Sequence, residues 1–178
     1  MLSGPEQIDQ IKNTRIFILD LVKDLSIEQL NKIPDGFNNN IIWNIAHLTA
    51  AQQNLCYTRS GLLPTVTDKY LFPFLSGTKP DAIINELEIK NIYSIFLSSI
   101  DQFKIDYANQ LFLKFDQWDK RYGMKLKTIE DAINFIPSMK ACILVIPWHL
   151  KNWYDLNIFC LCLFWKLSQN HCTRISNS

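Results

Sequence analysis

His47 is the residue of this chain whose type and setting most readily suggest chemistry. It stands in "IIWNIAHLTAAQQNLCYTRSG", four residues after Trp43 and three before Ala50, on what helical spacing makes a broad apolar face. An imidazole there has two readings. It is either a partly buried histidine bonded to a neighbour, or one ligand of a metal whose other ligands come from facing helices. Spacing alone favours the first, because the other histidines are His149 and His171 and no histidine pair stands one turn apart. Cys56 lies at the end of the same helix with no histidine near it in sequence, which predicts a packed, inert thiol. Cys142, Cys160, Cys162 and Cys172 crowd the last quarter, but no pair of them has zinc-ligand spacing. Glu130 and Asp131 are accounted for as first-turn acids of a helix. Asp116, Asp119, Lys120 and Arg121 read as a solvated connection. No phosphate-binding glycine loop and no Ser–His–Asp arrangement is present, so no catalytic residue is assigned.

The elements that must position His47 are helices. Pro5 suits a first turn, and Ile8, Ile11, Ile18, Leu19, Val22 and Leu25 give the first helix its buried side, with "SIEQLNKIP" as a short continuation. "DGFNNN" is a turn cluster whose Asn40 can cap the second helix, and Gly61 stops it. Residues 62–80 form a long connection of the kind that is often functional or lid-like, with a helical turn at "TDKYLF". A third helix is expected from Asp81 to about Gln110, apolar at Ile84, Leu87, Tyr93, Phe96, Leu97, Ile100 and Phe103. "LFLKFDQWDKRYGMKLK" is irregular or a short hairpin. Thr128 then caps a fourth helix with Ile129, Ala132, Ile133 and Ile136 at i, i+3, i+4, i+7. The expected fold is all-α, a four-helix bundle.

Composition narrows the function classes. A chain of 178 residues with net charge +1 offers no electrostatic reason for a nucleic-acid or anionic-membrane partner. Its longest apolar run, "IFCLCLFW", is too short to cross a bilayer as a helix. "MLSGPEQIDQIKN" lacks the character of a secretory leader, and reduced thiols in a cytoplasmic setting are the expectation.

"GFNNNIIWNIAHLTAAQQNLCYTRSGL", the "GTKP" connection and "KLKTIEDAINFIP" together resemble the DinB-like superfamily over roughly residues 5–137. The resemblance implies a four-helix bundle holding a divalent metal (zinc, nickel or iron) through three histidines. His47 matches the one from the second helix, and two more come from the fourth as H-x-x-x-H in a phrase like "P-x-HEGLHxGY". It further implies a hydrolase or thiol transferase acting on a small molecule, often as a homodimer. Gln52 and Gln53 are placed toward solvent rather than in the pocket. The family phrase should follow Pro137, yet the chain reads "SMKACILVIPWHLKNWYD", with Met139 and Ile143 at the histidine positions. Neither can replace imidazole on such an ion, and His149 between its tryptophans does not make a site alone.

The genetic code suggests an origin for this departure. Codons permitted for Ser138–Asp155, read two bases further on, give "HEGLHFGYTMAFKKLV" and then a stop. Both histidines reappear at positions 139 and 143. The stretch after Pro137 is therefore expected to be an out-of-frame translation, caused by one lost base or two gained near codon 138, so that residues 138–178 complete the bundle poorly. Four of five cysteines and three of five tryptophans lie in that stretch and need no selective explanation there. Pro147 within a helix would cost about 3 kcal/mol or more, and the chain as it stands is not expected to hold a metal stably. The rival reading is a non-catalytic helical protein whose apolar tail, around "LNIFCLCLFW", engages a partner.

Overall fold

In the computed structural model, residues 3–119 and 125–137 are described. They form six α-helices, two short 3-10 helices and one two-stranded ribbon. The helices are α1 (Gly4–Val22), α2 (Ile27–Asn31), α3 (Ile41–Cys56), α4 (Asp68–Leu71), α5 (Glu86–Ala108) and α6 (Ile129–Phe135). Helix α1 packs on α5 and α6, and α3 packs on the same two, so four helices close around a shared interior. The expected all-α bundle is the observed fold.

Local signals explain most boundaries. Asn40 accepts the Trp43 backbone N–H through its Oδ1 at 2.8 Å, as a cap for α3 should. Thr128 caps α6, with the Asp131 carboxylate bonded back to the Thr128 N–H. Helix α3 ends at Cys56 and continues as a 3-10 turn, Thr58–Ser60, stopped by Gly61 at φ 72°. The expected start of the third long helix at Asp81 is wrong by several residues, because α5 begins at Glu86 behind Asn85. The Asn31 side chain bonds both the N–H and the carbonyl of Ile84, holding that backbone away from helical geometry. Leu87, expected on the buried side, is 70% exposed.

The connection folds as α4 plus a 3-10 turn, Phe72–Phe74, and both pack on α3. The hairpin alternative holds for "LFLKFDQWDKRYGMKLK": β1 (Trp118–Asp119) pairs antiparallel with β2 (Lys125–Leu126), with Trp118 opposite Leu126. Lys120 and Arg121 lie outside the described residues.

The interior divides along the bundle axis. One apolar cluster joins Ile18 and Val22 of α1 with the first half of α3, the α4 region, and Ile89, Ile92 and Phe96 of α5. The other joins Ile8 and Ile11 with Leu55 and Cys56, Ile100 and Phe103, and Ile129, Ala132, Ile133 and Ile136 of α6. All four apolar residues expected to face inward from the fourth helix do so.

Candidate functional site

His47 lies at the α3 face covered by the 3-10 turn, partly buried. Its Nδ1 is 2.6 Å from the Phe74 carbonyl oxygen, which can only accept, so Nδ1 carries a proton. Its ring stacks on Trp43, centroids 4.8 Å apart and planes 11° from parallel. The Trp43 indole N–H in turn donates to the carbonyl of Pro73 at 3.2 Å. "FPF" thus supplies two consecutive carbonyls that orient a helix-borne indole and imidazole. A metal-ligating histidine commonly shows this pattern, with its second nitrogen donating to a carbonyl that fixes the ring.

Gln52 and Gln53 correct the sequence reading. Both are fully buried rather than turned to solvent. Gln53 Oε1 accepts from the backbone and hydroxyl of Thr65, and its amide donates to Gln52 Oε1 at 3.1 Å. Gln53 therefore ties α3 to the start of the connection, and the polar side chain is retained inside because its bonds are made. The hydroxyl of Thr49, also buried, has no hydrogen-bond partner, whereas the Gln52 side chain bonds Cys56. Cys56 is fully buried, as expected of an inert thiol, and burial raises its pKa far above the usual thiol range although the Gln52 amide and Arg15 oppose this.

Spacing-based reading missed Arg15, which shares this interior. It is 2% exposed and donates through Nη1 to the Phe96 carbonyl and to Ser99 Oγ. Burial lowers its pKa to about 9, so it stays charged at neutral pH. The signal was present: Ile8, Ile11, Arg15, Ile18 and Val22 follow a three-four stripe, and Arg15 is the charged member of it.

A second buried polar contact lies nearer the other end, where the Tyr57 hydroxyl donates to Asp106 Oδ2 at 2.6 Å. Burial first, and then this bond, raise the tyrosine's pKa. Nothing there converges on His47.

The donor set falls short of a metal centre. Among the described residues, no three or more His, Cys, Asp or Glu side chains are grouped so as to hold an ion. His47 fits as one ligand, by the backing of its ring, but one imidazole does not make a site. Met139, Ile143, His149, Cys142, Cys160, Cys162, Cys172 and the "LNIFCLCLFW" segment lie outside the described residues. Among those described, no helix is long and apolar enough to cross a membrane.

No curated protein and no solved structure matches the chain. A family model described as the DinB superfamily matches residues 10–150, most of its length. With its helical bundle, the chain belongs to the DinB superfamily.

Proposed function

We propose that this is a DinB-superfamily protein whose uninterrupted form is a divalent-metal hydrolase or thiol transferase for a small molecule, and whose segment with the two further histidine ligands is out of frame here after Pro137. Under this reading the chain as it stands has no normal metal centre. The observation that supports it is His47: its Nδ1 is bonded to the Phe74 carbonyl, which would leave Nε2 as the nitrogen to ligate a metal.

The course of α6 is consistent with this. Gln7 at the start of α1 bonds Asn134, whereas Ile136 lies with Ile11, Thr14, Arg15 and Ile18. The same residue lies with Leu48 of α3. Helix α6 therefore advances along α1, and its C-cap residue reaches Leu48, next to His47 in α3. Positions 139 and 143, the histidines of the second-frame phrase, fall three and seven residues after the inward-facing Ile136.

A zinc, nickel or iron ion on three such imidazoles would supply a Lewis acid that activates water or holds a thiolate. The chain's own contribution is the fixed His47 ring, backed by Trp43 and the 3-10 turn. A cytoplasmic setting and pairing of two copies belong to the same reading.

The gene's nucleotide sequence across codons 130–156 tests the frame directly, and absence of the second-frame phrase would sink it. Metal analysis tests the rest. After dialysis against zinc or nickel, the chain as it stands should retain far less than one equivalent. A frame-restored chain should retain about one and lose it on His47→Ala. Stoichiometric retention by the chain as it stands, abolished by His47→Ala, would overturn the reading.

A further inference from the structure

The stack on Trp43 fixes the plane of the His47 ring but not which edge of it faces the 3-10 turn. Trp43 and His47 stand four apart on one face of α3, so their rings lie one above the other, 11° from parallel. A half-turn about the His47 χ2 angle keeps that stack and exchanges the edge bearing Nδ1 for a carbon edge. The Phe74 carbonyl, 2.6 Å from Nδ1, distinguishes the two orientations. Where that carbonyl points therefore matters to the imidazole.

The turn that bears it is weakly held from within. Pro73 brings no N–H, and the bond from the Leu75 N–H to the Phe72 carbonyl is long at 3.4 Å. From outside, the turn is held at the Pro73 carbonyl, one peptide before that of Phe74. The Trp43 indole N–H donates there from α3 at 3.2 Å. The Thr78 hydroxyl reaches the same oxygen at 2.7 Å and the Leu75 carbonyl at 2.9 Å. A carbonyl oxygen has two lone pairs, and these two donors suffice for both. Gly77 makes the second donor available. At φ 95°, a region open to glycine, it turns the chain so that the Thr78 N–H also meets the Leu75 carbonyl, at 3.1 Å.

We propose that Trp43 and Thr78 are positioning residues for His47. Together they fix the Pro73 carbonyl, and so aim the carbonyl that follows it at Nδ1. Trp43 acts twice, as the surface under the ring and as a donor to the turn. Thr78 is exposed and acts through the turn alone. What the fixed ring is for rests on the reading of His47 as a ligand under "Proposed function", whereas the positioning itself does not.

The test reads the imidazole directly, by side-chain nitrogen NMR of the full chain in mildly alkaline solution, where histidine rings are neutral. His47→Ala assigns the signals, and the parent should show His47 protonated at Nδ1. Trp43→Phe keeps a ring under the imidazole and removes the donor. Thr78→Val keeps the shape and removes the hydroxyl. Each should turn the single Nδ1-protonated form into a mixture of the two tautomers, while Thr78→Ser should keep the parent pattern. A pattern unchanged by Thr78→Val, or changed as much by Thr78→Ser, overturns the proposal. A lower unfolding midpoint with the ring signals unchanged would make both residues ordinary structural ones and would overturn it as well. If Trp43→Phe does not fold, the two Thr78 variants decide, because that side chain lies on the surface. In the frame-restored chain, Thr78→Val should also weaken zinc binding about tenfold. A restored parent that binds no zinc ends the metal reading alone, whereas ring signals indifferent to Thr78 end the positioning role alone.

Discussion

The two polar regions of α3 contrast in how their bonds are met. Around His47 and Gln53, the partners named come from the connection after α3: Phe74 and Pro73 carbonyls for His47 and Trp43, and Thr65 for Gln53. Elsewhere, buried Thr49 Oγ1 of the same helix has no partner, and neither has Nη2 of buried Arg15 on α1. Buried polar atoms are nearly always bonded in native proteins, so each such orphan is informative. The satisfied set depends on segments that precede α6.

Paired substitutions can break or sharpen this contrast. The largest effect is expected at Gln53→Leu, which strands the Thr65 N–H and Gln52 Oε1 and should cost about 1–3 kcal/mol in urea unfolding. A neutral result would mean that the connection does not need this tie. Thr49→Val keeps the shape and removes an orphan hydroxyl, so the sign should reverse, with a gain of up to about 1 kcal/mol. Destabilisation there would show that Thr49 has a partner and would erase the contrast.

The smallest effect lies at the clasp between α4 and α5, where Lys69 Nζ bonds Glu88 Oε2 at 2.7 Å. Lys69 and then Tyr70 hold the Glu88 carboxyl below its ordinary pKa. A depressed carboxyl stabilises the fold above its unfolded-state pKa and loses that contribution as pH falls through the folded value. Glu88→Gln should therefore cost less than about 1 kcal/mol at neutral pH, for so exposed a lysine. The difference from the parent should vanish in acid, and one that persisted there would assign the effect to packing.

Arg15 and the two glutamines mark the limit of pattern reading. The apolar stripes of α1, α5 and α6, the caps at Asn40 and Thr128 and the stop at Gly61 were legible because each depends on residues within a turn or two. The glutamines were misplaced because burial of an amide depends on a partner distant in sequence. Gln53 finds one in Thr65, and no local rule announces it. Residues 81–85 failed for the same reason, since Asn31 holds Ile84 from far upstream.

By itself, then, the sequence determined the helices, their inward faces and His47 as the candidate ligand, because helical period and capping are local properties of the chain. Tertiary structure alone decided that Nδ1 of His47 carries a proton, by bringing the Phe74 carbonyl to it. It also decided that Arg15 lies inside beside a neutral thiol, because the charge balance of an interior is set by four helices meeting and not by any one of them.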